Sequence, residues 1–127
     1  MEDCVFCKIA NGEIPCHKIW ESDTHLAFLD IKPAVEGMTL VIPKKHHTSY
    51  FVELEDEVLL ELIKAAKEVA KLLDAKLENV LRTKLVLEGL DVDHTHVKLY
   101  PMYIRGKEPE KSKDLGKLAE KIRGETR

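Results

Sequence analysis

The segment KIWESDTHLAFLDI, residues 18–31, predicts two β-strands joined by a short turn. Residues 18–20 form the first predicted strand. HLAFLDI, residues 25–31, forms the second, because aromatic and aliphatic residues dominate it. The polar residues 21–23 between them are of the kind that favours turns. This segment therefore indicates two neighbouring antiparallel strands.

The next apolar segment, MTLVIPK at residues 38–44, predicts a third strand. Almost all of its side chains are apolar, which is typical of a strand covered on both faces, so we expect it at the centre of a sheet. Pro43 should end the strand, because proline has no N–H to donate to a neighbouring strand.

The clearest helix prediction is LEDEVLLELIKAAKEVAKLLDAK at residues 54–76. Its apolar residues recur at helical spacing between Glu and Lys residues, so one face should be buried. These apolar positions are Val58, Leu59, Leu62, Ile63, Ala66, Val69, Ala70 and Leu73. Two shorter helices are predicted, one at residues 4–10 that stops at Asn11-Gly12 and one at residues 112–124.

Residues 82–90 and 94–103 predict a fourth and a fifth strand. Strands grouped in blocks around one long helix indicate an α+β fold, an antiparallel sheet with the helices on one side. A chain of 127 residues is long enough for one domain with its own core. We expect a single domain over residues 1–127, with a core of residues 1–104 and a C-terminal helical tail at residues 105–127.

Composition argues against several classes of function. The chain is 44% hydrophobic, and its charges nearly cancel to a net charge of -3, so we expect no nucleic-acid and no membrane partner. No apolar run approaches the length of a membrane span. The acidic start MEDCVFCK does not predict a secretory signal, and three cysteines favour a reducing cytoplasm over a disulfide scaffold.

The fifth predicted strand carries a polar row. Because alternate residues of a strand share one face, His94, His96 and Lys98 should lie in line, about 6.6–7 Å apart. Val97 and Leu99 should face the core. This row is either a catalytic site or the solvated face of an edge strand, and the strand's own residues leave both interpretations open.

A second candidate site is the pair Cys4 and Cys7. Two thiolates one helical turn apart can bind one metal ion, and structural zinc requires two further ligands. His46 or His47, together with His94, are the candidates. Two alternatives remain open: cysteines packed as small apolar side chains, and a dithiol redox pair, which normally follows a strand in a βαβ unit.

A third candidate site residue is Asp30, which lies near the end of the second predicted strand. A carboxylate there can accept hydrogen bonds from the hydroxyls of a ribose, although it can equally start a turn before Pro33. The chain has no Walker A loop and no G-x-G-x-x-G motif. Any phosphate binding must therefore come from the histidine strand and nearby backbone amides.

Taken together and in order, these segments resemble the histidine triad (HIT) superfamily of nucleotide hydrolases and transferases, from Cys4 to about Tyr103. CVFCKIANGEIP, AFLDIKP, TLVIPKKH and GLDVDHTHVKLYP carry the resemblance. The last lies where the family has His-φ-His-φ-His-φ-φ, φ being hydrophobic. The resemblance implies a five-stranded antiparallel sheet, one long helix, short N- and C-terminal helices, and a homodimer whose two sheets join.

The same resemblance implies a reaction at the α-phosphorus of a nucleotide. His96 matches the histidine that forms a covalent nucleotidyl intermediate, which water or another acceptor then displaces. Asp30 matches the ribose-binding acid, and the implied partner is a purine nucleotide or nucleotide conjugate. The residues that match the apolar base pocket are Val5, Phe6, Ile9, Phe28 and Ile31.

The resemblance also implies a structural zinc ion. Zinc-bearing members use a CxxC pair, the histidine after IPK-x and the first triad histidine. These correspond to Cys4, Cys7, His46 and His94 in this chain, with His47 outside the coordination shell.

The sequence departs from the family pattern where Lys98 replaces the third histidine. We expect its ammonium to stabilise phosphate oxygens and to disfavour protonation of His96, or alternatively to extend into solvent. Further departures are Met38, Leu87, Asp91 and Asp93. The predicted function is a hydrolase or nucleotidyl transferase, and the alternative is a catalytically weak nucleotide-binding or adaptor protein with the same fold.

Overall fold

The structure, a computed structural model, describes residues 3–125. The predicted domain of residues 1–127 includes Met1, Glu2, Thr126 and Arg127, which lie outside the described residues. The elements in chain order are α1 (Val5–Ala10), β1 (Lys18–Glu21), β2 (His25–Leu29), β3 (Thr39–Pro43), a 3₁₀ turn (Phe51–Glu53), α2 (Asp56–Lys76), β4 (Val80–Val86), β5 (Val97–Tyr103) and α3 (Leu115–Arg123). The sequence did not predict the 3₁₀ turn.

The five strands form one antiparallel sheet in the order β1-β2-β3-β5-β4, which confirms the predicted sheet. Strand β3 lies at its centre and ends at Pro43, as predicted. Strand β5 lies between β3 and β4, so the alternative that it is a solvated edge strand is wrong. Pro101 fits inside β5 because the ladder with β3 ends at Leu99, which leaves no β3 partner for an N–H at that position.

Alternation along the strands gives the sheet two different faces. We call one the α2 face, where Ala27, Val41 and Val97 pack with α2 and α3 in the main aliphatic core. We call the other the α1 face, where Phe28 and Ile42 pack against α1. The prediction that the helices share one side is therefore wrong for α1, whose six residues are too few to show a helical period.

Helices α2 and α3 cover the α2 face. The residues that α2 buries are Leu62, Ala65, Ala66, Val69 and Leu73, and most of them belong to the predicted stripe. Helix α3 begins after Asp114, whose carboxylate accepts a hydrogen bond from the Lys117 N–H at 3.0 Å, and ends at Gly124 in the left-handed conformation. Within residues 3–125, the helices all lack the combination of length and apolar character that spanning a bilayer requires.

Strand β5 begins at Val97 rather than at the predicted His94. The reason is a tertiary contact: the backbone N–H of Thr95 donates to the carbonyl of His47 at 3.0 Å instead of joining the sheet ladder. His94 and His96 therefore lie in the loop before β5, which this hydrogen bond anchors. The contacts of this loop, rather than strand alternation, fix the side chains of His94 and His96.

Strands β2 and β4 also end at positions that differ from the predictions. Strand β2 ends at Leu29, because the Asp30 carboxylate accepts a hydrogen bond from the Lys32 N–H at 2.8 Å and turns the chain. Strand β4 ends at Val86 because the chain turns at Gly89, which has a φ of 67°. A Cβ at this glycine would lie 2.4 Å from the carbonyl oxygen of Ser49, so only glycine fits there.

Candidate active site and metal centre

Four potential metal ligands converge at one end of the α1 face. The Sγ and imidazole nitrogen atoms of Cys4, Cys7, His46 and His94 all lie within 4.8 Å of one another. The Cys4 sulfur also caps α1, because it accepts a hydrogen bond from the Cys7 N–H at 3.2 Å. His47, which was expected outside the shell, is not part of this group.

The distances within this group suit a tetrahedral zinc ion. Zn–S bonds near 2.3 Å and Zn–N bonds near 2.0–2.1 Å place neighbouring ligand atoms roughly 3.3–3.8 Å apart. The Cys4 sulfur lies 3.2 Å from Nδ1 of His94. The Cys7 sulfur lies 3.4 Å from Nδ1 of both His46 and His94. The donor set and its spacing therefore fit zinc.

The orientation of His94 points to the same chemistry. Its Nε2 lies 2.8 Å from the carbonyl oxygen of Pro43 and donates its proton there. Nδ1 then carries a lone pair directed at the two sulfurs, the arrangement in which a carbonyl orients a metal-binding imidazole. Burial, followed by the neighbouring Cys4 sulfur, raises the pKa of the Cys7 thiol. A cation between the sulfurs would offset that cost.

His96 is buried, with 2% of its surface exposed. Its Nδ1 lies 2.8 Å from the carbonyl oxygen of His94, so Nδ1–H donates and Nε2 keeps its lone pair. The ring packs edge-on against Phe6, with the ring centres 5.0 Å apart. Burial lowers the pKa of His96, and the positive charge of Lys98 acts in the same direction. The imidazole is therefore neutral near pH 7.

Lys98 lies on the same face but does not extend into solvent, so that alternative is wrong. Its Nζ lies 2.7 Å from Oε1 of Glu88 and 3.0 Å from Oδ2 of Asp91, and 13% of its side chain is exposed. The hydrogen bond to Glu88, and then that to Asp91, raises the pKa of Lys98 well above its ordinary range. The sequence analysis noted Asp91 as a departure from the family pattern, but no local signal identified Glu88 as a partner of Lys98.

The residues predicted to bind the nucleoside are only partly brought together. Phe6, Ile9 and Phe28 belong to one apolar cluster on the α1 face. Val5 is 38% exposed and Ile31 is 72% exposed, and Ile31 lies outside that cluster. Asp30 is half-buried and its Oδ1 is bonded to the chain turn after β2.

An acidic cavity of about 540 Å³ adjoins the metal ligands. Val5, His46 and Asp91 line it together with other residues of α1 and of the loop before β5. A second loop carboxylate, Asp93, accepts a hydrogen bond from the Ser49 N–H at 3.0 Å, which anchors the loop. The loop therefore places negative charge beside the histidines.

The five-stranded antiparallel sheet with one long helix is the fold that the resemblance to histidine triad proteins implied. The HIT domain model matches residues 11–103, and the chain belongs to this family.

Relatives of this chain occur in archaea and in yeast. An uncharacterized HIT-like protein of Methanocaldococcus jannaschii is 43% identical over 103 residues, which cover 79% of each chain. The adenosine 5′-monophosphoramidase hnt1 of Schizosaccharomyces pombe is 41% identical over 98 residues, which cover 77% of this chain and 73% of the relative. A hypothetical histidine triad nucleotide-binding protein of Sulfolobus tokodaii superposes with a TM-score of 0.84 at 30% identity, over 96% of this chain and 91% of that one.

Proposed function

We propose that the protein is a hydrolase or nucleotidyl transferase that acts at the α-phosphorus of nucleoside monophosphate derivatives, with His96 as nucleophile. The observation that carries the proposal is the 2.8 Å hydrogen bond from Nδ1 of His96 to the His94 carbonyl. It fixes the tautomer whose Nε2 lone pair is free on a neutral ring. The yeast relative is named a monophosphoramidase, and we propose nucleoside phosphoramidates as the substrate class.

The reaction proceeds in two displacements. Nε2 of His96 forms a bond to the α-phosphorus while the bond from phosphorus to the leaving amine breaks, and the amine takes up a proton from solvent. Water then attacks the phosphorus, the bond to Nε2 breaks, and the water proton is released to solvent. Lys98 stabilises the negative phosphate oxygens in both steps, which is the role of a fixed charge next to a transferring phosphoryl group.

The nucleoside is proposed to lie on the α1 face. Phe6, Ile9 and Phe28 supply apolar surface for a purine base, with Val5 and Ile31 at its rim. The second carboxylate oxygen of Asp30, which the turn does not use, accepts a hydrogen bond from a ribose hydroxyl. This assignment follows the family resemblance, and the shared apolar cluster supports it.

Cys4, Cys7, His46 and His94 are proposed to hold one structural zinc ion. All four ligand positions are filled by the protein, so no position is left for a catalytic water. When bound, the ion would supply a fixed link between α1 and the sheet. Beside this site, the backbone carbonyl of His94 accepts the hydrogen bond from Nδ1 of His96 and so orients the nucleophile.

A second candidate function is nucleotide binding with slow chemistry. The observation that favours it is the pairing of Lys98 with two carboxylates, which leaves a net negative charge next to the proposed phosphate position. The two candidates differ in turnover and in formation of an adduct on His96.

We also propose that the protein is a cytoplasmic homodimer and that residues 1–127 form one domain. Strand β4 lies at an edge of the sheet, and its Leu81 and Leu85 are 69% and 41% exposed. Pairing of two such edges would cover strands that otherwise invite aggregation. Light scattering at micromolar concentration should give the mass of two chains, and the mass of one chain would contradict the dimer.

The test of the main proposal is incubation with an adenosine 5′-phosphoramidate, with chromatography of the products. Wild type should release AMP and the free amine, and His96→Ala should release neither above the uncatalysed rate. His17→Ala is the matched control, because His17 lies outside the proposed site. Equal product formation by wild type and His96→Ala would reject His96 as the nucleophile.

A further inference from the structure

The ammonium of Lys98 is held by carboxylates from the segment that follows the neighbouring strand. In the sheet, Lys98 pairs with Val86 of β4 on one side and with Leu40 of β3 on the other. Glu88 follows Val86 by two residues and reaches back to Lys98 at 2.7 Å. Asp91, further along the same loop, approaches at 3.0 Å. The loop after β4 therefore holds the ammonium of Lys98 through two hydrogen bonds, and we call this pair of carboxylates the clamp.

Within residues 3–125, the clamp leaves one donor of Lys98 unused. An ammonium group has three N–H donors, and Glu88 and Asp91 accept two of them. These two hydrogen bonds already restrict the rotamers of the long lysine side chain before any substrate arrives. A phosphate oxygen bound at His96 would therefore meet a lysine whose position is fixed.

The loop that carries the two carboxylates is anchored independently of Lys98. Gly89 packs so tightly on the backbone of Ser49 that no Cβ fits between them. Asp93 binds the Ser49 N–H at 3.0 Å. The backbone next to Glu88 is thus fixed by the segment after β3. The position of the Glu88 carboxylate therefore does not depend on Lys98, and Glu88 can orient the ammonium.

We propose that Glu88 and Asp91 are positioning residues, which hold the ammonium of Lys98 at the phosphate site with one N–H free for a phosphate oxygen. The inference rests on the proposed function, because it requires a phosphate bound at His96. Glu88 makes the shorter of the two hydrogen bonds and is the less exposed carboxylate, so it contributes more than Asp91.

This role has a kinetic signature that a merely structural role would lack. The two carboxylates repel a bound phosphate, so removal of one should leave KM unchanged or lower it. Loss of the fixed ammonium in the transition state should lower kcat. We therefore expect Glu88→Ala to lower kcat by about fivefold to tenfold without an increase in KM.

The experiment is a double-mutant cycle on an adenosine 5′-phosphoramidate, with Glu88→Ala, Lys98→Ala and the double variant. Glu88→Gln tests the hydrogen bond, because its amide oxygen still accepts from the ammonium, and it should keep more activity than Glu88→Ala. Glu68→Ala is the matched control, since Glu68 pairs with Lys71 at 3.2 Å on an exposed helix surface. Thermal unfolding of each variant shows whether it remains folded.

If the proposal is correct, Glu88→Ala lowers kcat in the wild-type background and has no further effect when Lys98 is already alanine. An equal loss of kcat in both backgrounds, or a wild-type kcat for Glu88→Ala, overturns it. A wild-type kcat for Lys98→Ala overturns it as well, while leaving the nucleophilic role of His96 intact. Retained turnover by His96→Ala would instead contradict the proposed function.

Discussion

The two faces of the sheet are built from the same strands but have different compositions. On the α2 face, strand residues such as Val41 and Leu99 are aliphatic and pack against two helices. On the α1 face, the same strands contribute Phe28 and Ile42, and His96 and Lys98 lie beside them. We propose that the two sets of alternate residues have different roles, the α2 face providing stability and the α1 face providing the proposed chemistry.

The largest expected effect comes from a substitution on the α2 face. Leu73 of α2 is fully buried, so Leu73→Ala should leave a cavity and lower the free energy of unfolding by about 2–5 kcal/mol. Urea unfolding measures this loss. Turnover per folded molecule should not change. Lys67→Ala, at an exposed position of the same helix, should change stability by less than about 0.5 kcal/mol. A large drop in kcat of folded Leu73→Ala would break the proposed division between the faces.

Metal removal should have the next largest effect, and it should act on the α1 face. Protein purified without chelator should contain one zinc per chain, and His46→Ala should lose it while His47→Ala retains it. The loss should cost about 3 kcal/mol, the linkage expected for an ion present near 100 times its dissociation constant. Elemental analysis and thermal unfolding measure both quantities. Less than a tenth of an equivalent of zinc, with reconstitution also failing, would reject the metal site.

Substitution of Lys98 should affect chemistry more than stability. Lys98→Ala should lower kcat/KM by about tenfold, or roughly 1.4 kcal/mol of transition-state stabilisation. Lys98→His, which introduces the histidine that the family resemblance implies at this position, should keep or raise activity. Steady-state kinetics on the phosphoramidate measure both variants, with Lys84→Ala as the control on β4. If Lys98→Ala reacts as fast as wild type while His96→Ala is inactive, Lys98 has no catalytic role.

The smallest effect concerns a histidine at the rim of the α2 face. Burial lowers the pKa of His25 in the folded state. The His25 side chain lines a cavity of about 440 Å³, and the other charged or titratable groups that line it are His47, Lys45, Glu55, Glu57 and Glu61. As pH falls below 6.5, the ordinary value for the unfolded chain, the unfolded state takes up a proton that folded His25 does not, so stability should fall.

Urea unfolding at pH 7.5 and pH 5.5 tests this difference. Other histidines also titrate in this window, so the comparison is between wild type and His25→Gln. The variant should lose less stability on acidification than wild type does. An equal loss in the two proteins would show that His25 does not contribute to the pH dependence.

Much of the fold was predictable because it follows local rules. The buried stripe of α2 and the wholly apolar β3 have periodicities that a single sequence displays. The start of β5 was not predictable, because the bond from Thr95 to His47 joins residues far apart in the chain. The side of the sheet that α1 occupies was equally hidden, since a helix of six residues gives no periodic signal.

The candidate site was predictable to different degrees. Cys4, Cys7, His46 and His94 were proposed from spacing and family resemblance, and the structure brings their ligand atoms together. Glu88 was missed, because its contact with Lys98 depends on how the loop after β4 folds back. Such a contact joins an acid and a base ten residues apart and leaves no pattern in the sequence.

The most direct test of the central claim is the intact mass of the protein quenched during reaction with an adenosine 5′-phosphoramidate. The account predicts a species heavier by one adenylyl group, which peptide mapping places on His96 and which His96→Ala never forms. Turnover of the phosphoramidate with no adduct under rapid acid-free quenching, or an adduct on another residue, would contradict the account.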